Sequence, residues 1–135
     1  MSNNNSQHFF LRLQPNDAPQ AGRGAPVGVI AFKFDPANPK VVHVAGSMVS
    51  RKDTFVRDAG VAKAYGRLSS DETHVSMPID QFKATPIDEI AATIGLHPSY
   101  NVNTNHFRAV DWKKANITKT SAIDSLEARL AQSPA

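Results

Sequence analysis

The sequence contains no cysteine, few aromatic residues and no long apolar run. Without cysteine the chain has no disulfides and no thiolate chemistry, and a cytoplasmic location is the simplest expectation. No stretch approaches the ~20 apolar residues of a transmembrane helix, so we expect no membrane partner. The opening residues, MSNNNSQ, lack the basic and apolar regions of a signal peptide.

The composition is that of a globular protein with a moderate positive charge. Of 135 residues, 41% are hydrophobic and 20% charged, which fits one domain with a real core. The net charge of +3 and the pI near 9.4 indicate anionic partners. The excess is smaller than that typical of proteins that bind DNA without specificity.

Apolar runs and turn residues predict a single α+β domain. We expect a mobile arm at 1–7 and one domain at 8–132, built on a mainly antiparallel sheet with a central helix after the third strand and two further helices toward the C-terminus. Strands are predicted at 8–13, 27–34, 41–49 and 74–79, with FRAVDW (107–112) as a possible further strand. Helices are predicted over Asp53–Leu68, within 84–98, where Thr85 caps, Pro86 opens and Gly95 ends the helix, and from Thr120 or Ser121 onward.

The corner between the third strand and the first helix is a candidate anion site. Ser50 and Asp53 have the S-x-x-D spacing of a capping box, in which Ser50 accepts from first-turn amides and Asp53 reaches back. A helix N-terminus favours anions. The alternative is an ordinary solvated helix with surface cations. The candidate ligands are Ser50, Arg51 and Lys52 at the corner, with Arg57 and Arg67 along the helix.

Helical spacing separates these cations. Because Arg51, Lys52, Arg57 and Arg67 point to different sides of the helix, one small anion cannot meet all of them within one subunit. Either only the corner binds, or an outlying arginine serves a neighbouring subunit. The predicted apolar face of this helix consists of Phe55, Ala59, Ala62, Tyr65 and Leu68. Small residues along the helix, among them Gly60 and Gly66, favour a close contact with another subunit and hence a homo-oligomer.

The stretch from Tyr100 to Lys114 is a second candidate. Aromatic faces stack on bases, asparagine amides bind base or ribose edges, and Arg or Lys binds phosphate. This combination suits a nucleotide or a single strand, whereas the alternative places Phe107 and Trp112 in the core. The candidate ligands are Asn105, Phe107, Arg108 and Trp112.

Catalytic and metal-binding motifs are not found in the sequence. The triplets 74–76 and 97–99 have the H-x-S form of 2H phosphoesterase motifs, but they lie too close together for the half-domain that separates such motifs. The chain has no P-loop, dinucleotide fingerprint, nucleophile elbow or metal-ligand cluster. We therefore predict a non-enzymatic protein with no metal and no cofactor.

Residues 50–57, SRKDTFVR, followed by Gly60, Ala64 and the triplet GRL at 66–68, resemble a pattern found in small phage-encoded proteins. That pattern is approximately S-x-K-D-x-F-x-[RK]-x-x-G-x-x-x-A-x-G-R-L. In size, strand-to-helix layout and arginine content, the chain also resembles the phage Thoeris anti-defence sponges. This resemblance implies capture of a cyclic ADP-ribose derivative or cyclic oligonucleotide in the host cytoplasm, which would counter host immunity.

The same resemblance implies ligand sites between subunits, with arginines on the phosphates and Phe82, Phe107 or Trp112 stacked on adenine. Two other functions remain open from the residues themselves. One is a small nucleic-acid-binding protein that follows a phosphate backbone. The other is a protein-binding inhibitor of a host factor, which needs no local motif.

Overall fold

The computed structural model describes residues 5–13, 26–48, 56–96, 101–102 and 108–132. Their elements form an α+β fold, as predicted. The elements in chain order are β1 (Ser6–Arg12), β2 (Pro26–Phe34), β3 (Val41–Met48), α1 (Arg57–Leu68), β4 (Val75–Pro78), α2 (Ile79–Ala84), α3 (Ile87–Thr93), β5 (Asn101–Val102), β6 (Arg108–Ala109) and α4 (Trp112–Gln132).

Four strands form an antiparallel sheet in the order β1-β2-β3-β4. The predicted strands are confirmed within one or two residues, because each has continuous or alternating apolar residues. The first strand starts at Ser6, so residues 6 and 7 belong to the sheet and not to the predicted arm. Asn5, just before this strand, also forms a hydrogen bond with the sheet, because its Nδ2 donates to the Phe34 carbonyl at 3.1 Å.

Helices cover both faces of the sheet. α1 contacts β2 and β3 on one face, while α2, α3 and α4 pack on the other. The second face carries the main core, where the rings of Phe32 and Phe82 lie 5.1 Å apart and both side chains are fully buried. Because both faces are covered, β2 is almost continuously buried along its length.

α1 lies close to the sheet because the residues between them are small. Ala31 and Ala45 are cross-strand partners beneath the helix, and Ser47 Oγ donates to the Gly60 carbonyl at 2.9 Å. The buried positions of α1 are Gly60, Ala64 and Leu68. The predicted apolar face is wrong at Ala59 and Ala62, which are exposed, and is confirmed at Leu68.

α1 begins later than the capping pattern predicts. Val56 is extended, with φ −107° and ψ 114°, and precedes the helix as an N-cap with no side-chain cap bond. The predicted start at Asp53 is wrong, and so is the predicted role of Ser50 and Asp53 as the capping box of this helix. The S-x-x-D pattern is local and fits other turns, whereas the observed start places Arg57 over the Phe10 ring at 4.7 Å.

The segment after β4 contains a helix that the sequence did not predict. α2 follows β4 directly, so that Pro78 ends the strand and also precedes the helix. Thr85 is the C-cap of α2 and not the N-cap of α3, whose N-cap is Pro86. α3 ends just before Gly95, as predicted. Gly95 has φ +86°, a left-handed conformation that favours glycine.

α4 is much longer than predicted and begins at Trp112 instead of Thr120. Asp111 caps it, with Oδ1 accepting from the Lys114 amide at 3.1 Å. The predicted apolar side is confirmed where Ile123 and Leu126 are buried and Leu130 packs beside them. The first half of the helix was missed because its buried stripe includes Lys119, a residue that reads as exposed in sequence.

Candidate functional site

Among the described residues, a cleft lies along β1, the outermost strand at one side of the sheet. Alternation along β1 points Phe9 into the main core and Phe10 to the face that carries α1. The register shifts between Leu11 and Arg12, so that Arg12 pairs with Pro26 and one extra residue of β2 stands opposite. Such a bulge increases the local twist and ends the regular pairing beside the cleft.

The N-terminal end of α4 forms the other wall. The Asp111 amide donates to the Arg12 carbonyl at 2.8 Å, and Leu13 forms an isolated bridge with Val110. These backbone ties hold the start of α4 beside the end of β1. The first two turns of the helix therefore turn Lys114 and Thr118 toward the strand.

The resulting cavity, here called the edge cleft, has a volume of about 190 Å³. Its surface combines an apolar floor with two cations and one carboxylate. That carboxylate, on Asp111, already caps α4, and Thr118 Oγ1 donates to the Lys114 carbonyl at 2.9 Å. The lining residues are Phe9, Phe10, Arg12, Asp111, Lys114, Ala115 and Thr118.

Arginines from two elements approach the Phe10 ring. The Arg57 guanidinium lies 4.7 Å from the ring centroid and that of Arg12 lies 5.8 Å from it. Both distances fall within the range of cation–π attraction. The contacts place two positive groups beside Phe10, one of the residues that line the edge cleft.

The charge near the edge cleft stays positive around neutral pH. His8 Nδ1 shares a hydrogen bond with the Tyr65 hydroxyl at 2.8 Å. Burial, and next the nearby Arg57 cation, lower the pKa of His8 below its ordinary value, so the imidazole is neutral at pH 7. The positive potential at the edge cleft therefore comes from arginine and lysine, whose charge does not vary in this range.

Those predicted site residues that the structure describes lie at different places in the fold. Arg57 lies against the Phe10 ring, whereas Arg67 Nη1 donates to the Gly46 carbonyl on β3 at 2.7 Å. This separation agrees with the helical spacing of the two arginines. Trp112 is half-buried and packs against the main core. Phe82 is fully buried in that core, so its ring offers no face for a base.

Other predicted residues lie outside the described ranges or have no described side chain. Arg108 stands in β6, where the backbone alone is described. α1 begins at Arg57, four residues after the predicted start at Asp53. The residues outside the description are Ser50, Arg51, Lys52, Asn105 and Phe107.

Sequence reasoning missed Phe10, Arg12 and Lys114 as members of one site. The signal that was available is the alternation of HFFLRL, which puts Phe10 and Arg12 on the same face of β1. The approach of Lys114 was not predictable, since it depends on the early start of α4. Among the residues that the structure describes, no three His, Asp or Glu side chains are grouped to hold a metal ion.

No protein-family model matches the sequence, and comparisons with curated proteins and with solved structures give no significant match. Within the described residues, no helix has both the length and the apolar character of a membrane span.

Proposed function

We propose that the protein captures an anionic nucleotide signal in the edge cleft and sequesters it without transforming it. The observation that carries the proposal is that Arg12 and Lys114 line the edge cleft together with Phe10, while Arg57 lies against the same Phe10 ring. Cations beside an aromatic floor are the chemistry that a phosphate joined to a base requires.

Each part of the cleft has a role in this proposal. Arg12 and Lys114 bind the phosphate through charge-assisted hydrogen bonds. The helix N-terminus contributes less, because the Asp111 carboxylate already accepts from its amide. The polar side chains of Asp111 and Thr118 are occupied within α4, which leaves binding to the cations and the apolar floor.

The size of the cleft bears on the ligand and on assembly. Pockets for drug-sized ligands usually have volumes of roughly 300–1,000 Å³. At about 190 Å³, the edge cleft encloses the phosphate-bearing part of a nucleotide but not the whole molecule. We therefore propose that a second copy of the chain covers the remainder, as the resemblance to phage anti-defence sponges implies, with a cyclic ADP-ribose derivative or cyclic oligonucleotide as the ligand.

Calorimetric titration with cyclic dinucleotides, cyclic ADP-ribose and ADP-ribose tests the proposal. We expect Arg12→Ala and Lys114→Ala each to weaken binding by about tenfold or more, since a hydrogen bond to a charged group contributes roughly 1.5–3 kcal/mol. Lys113→Ala is the matched control, because Lys113 is an exposed neighbour that does not line the cleft. Absence of binding by every nucleotide to the folded protein would refute the proposal.

Binding of a single-stranded nucleic acid is a second candidate, favoured by the spread of cations along β1. Arg129 Nη2 donates to the Ser6 carbonyl at 2.6 Å at one end of the strand, and Arg12 lies at the other end. A seven-residue strand spans roughly 20 Å. Oligonucleotide affinity that falls steeply with salt, together with no affinity for mononucleotides, would favour this function over capture of a signal.

A further inference from the structure

A chain of three hydrogen-bonded side chains lies on the side of the sheet opposite the edge cleft. Asp35 follows β2, His43 stands on β3 and Ser76 on β4. His43 Nε2 lies 2.9 Å from Asp35 Oδ2, and His43 Nδ1 lies 2.6 Å from Ser76 Oγ. The order carboxylate, imidazole, hydroxyl is the arrangement that activates a serine nucleophile.

The turn between β2 and β3 fixes the carboxylate. Asp35 Oδ1 accepts from the amides of Ala37 and Asn38, at 2.7 and 3.2 Å. The pKa of Asp35 lies below its ordinary value, first because of the hydrogen bond from the Ala37 amide and next because of the hydrogen bond with His43. Asp35 is therefore a carboxylate at neutral pH, and its second oxygen faces His43.

Strand register places the imidazole beside the hydroxyl. His43 and Ser76 are direct cross-strand partners in the β3–β4 pairing. The Ile79 amide donates to the Lys40 carbonyl, and bonded and non-bonded pairs alternate in an antiparallel ladder. The pair His43–Ser76 is thus a non-hydrogen-bonded pair, in which side chains come closest. It follows that the Ser76 amide points away from β3 at the outer edge of β4.

The neighbouring ring supports this arrangement. His74 lies 4.4 Å from His43 between ring centroids, and its Nδ1–H donates to the Leu68 carbonyl at 3.0 Å. Since Asp35 accepts from His43 Nε2–H, the Nδ1 atom of His43 is left as the acceptor for the Ser76 proton. The His43 side chain is 13% exposed, whereas Ser76 is open to solvent.

We propose that Ser76 is a nucleophile, with His43 as its general base and Asp35 as the positioning residue, and that it takes acyl groups from small, unhindered esters. The outward amide of Ser76 is available to donate to the developing oxyanion. This activity goes beyond the proposed function and does not depend on it, because the two sites stand on opposite outermost strands of the sheet.

The reaction balances with water as the only co-substrate. Ser76 Oγ attacks the ester carbonyl carbon while its proton passes to His43 Nδ1. The bond to the leaving oxygen then breaks, and the alcohol departs with that proton. A water molecule attacks the acyl-serine, gives its proton to His43 and releases the carboxylic acid, and Ser76 Oγ recovers the proton.

The test uses the full chain and a fluorophosphonate probe, whose phosphorus Ser76 attacks with loss of fluoride. We expect one phosphonyl group by intact mass, mapped to Ser76 by peptide sequencing and absent from Ser76→Ala. Ser69→Ala is the matched control and should label normally, because Ser69 is also exposed but its Oγ donates to the Tyr65 carbonyl.

Two variants test activation of the serine, with folding checked by thermal unfolding. His43→Gln and Asp35→Asn should each slow labelling by about 10²-fold or more. The wild-type rate should rise with pH and the rate of His43→Gln should not, because only the wild type has an imidazole base beside Ser76. The groups beside His43 are Asp35, Ser76 and His74, with Asp71 Oδ1 4.0 Å from His74 Nε2, and the cross-strand partner of His43 on β2 is Lys33. No labelling, labelling retained in Ser76→Ala, or unchanged rates in both variants would overturn the proposal.

Discussion

Single residues in this protein carry roles that their chemical type conceals. Lys119 is 3% exposed, and its amine donates to the carbonyls of Phe82, Lys83 and Thr85, at 2.9, 3.2 and 2.5 Å. It thereby satisfies carbonyls at the C-terminal end of α2, which has no continuing helix to bond them. A lysine read from sequence as a surface cation is a buried connector between two helices.

We expect Lys119→Met to destabilise the protein by about 3 kcal/mol. The substitution keeps most of the side-chain volume but leaves buried carbonyls without a donor. Urea denaturation measures the change in the free energy of unfolding. Lys113→Met, at an exposed position of the same helix, should change it by less than about 0.5 kcal/mol. Equal effects of the two substitutions would contradict the assigned role of Lys119.

His8 makes the free energy of unfolding depend on pH near neutrality. Its pKa in the folded protein lies below the ordinary value of 6.5, so the unfolded chain takes up a proton first as the pH falls. The free energy of unfolding should therefore decrease as the pH is lowered through 6.5 and should rise again on return to pH 7.5. His8→Gln should reduce this part of the slope in urea denaturation at pH 7.5 and 5.5. A wild-type slope of the opposite sign would contradict the account.

At the scale of elements, the sequence predicted the strands better than the helices. The strands have continuous or alternating apolar residues bounded by proline and asparagine turns, as between Phe34 and Val41. α2 has only six residues, too few for a helical period to be seen. The observed start of α1 brings Arg57 over the Phe10 ring of β1, a tertiary contact that the local capping pattern does not encode.

Gly46 on β3 has little room for a side chain. A Cβ at Gly46 would lie 2.8 Å from the Val29 carbonyl oxygen and 3.1 Å from side-chain carbons of Ile94 and Leu96. Because the closest neighbour is backbone, the strand must shift to accept it. We expect Gly46→Ala to lower the free energy of unfolding by about 1–3 kcal/mol in urea denaturation. A neutral effect would show that the strand yields more easily than the distances imply.

Gly66 is the opposite case, since a Cβ there meets nothing within 4 Å. In the isolated subunit, Gly66→Ala should stabilise α1 by about 0.5–1 kcal/mol, because alanine favours the helix. If Gly66 instead allows two helices to approach across subunits, the same substitution should weaken assembly. Sedimentation velocity of the two proteins at equal concentration distinguishes these results.

At the scale of the whole molecule, the fold class was predictable and the site was not. Composition and residue order were enough for an α+β domain with an antiparallel sheet and a helix after the third strand. The edge cleft joins Arg12 to Lys114, and the second cluster joins Asp35 to Ser76, across long separations in sequence. Contacts between residues so far apart in sequence depend on strand order and helix length, which local sequence patterns do not specify.

An amide NMR titration of the ¹⁵N-labelled protein with cyclic ADP-ribose and with a cyclic dinucleotide tests whether the proposed anionic ligand binds in the edge cleft. We expect saturable shifts concentrated at Phe10, Arg12, Lys114 and Thr118. In Arg12→Ala the same shifts should need about tenfold more nucleotide or more. Saturable shifts confined to the region around Arg67 and Gly46, or no shifts with either nucleotide, would contradict the proposal.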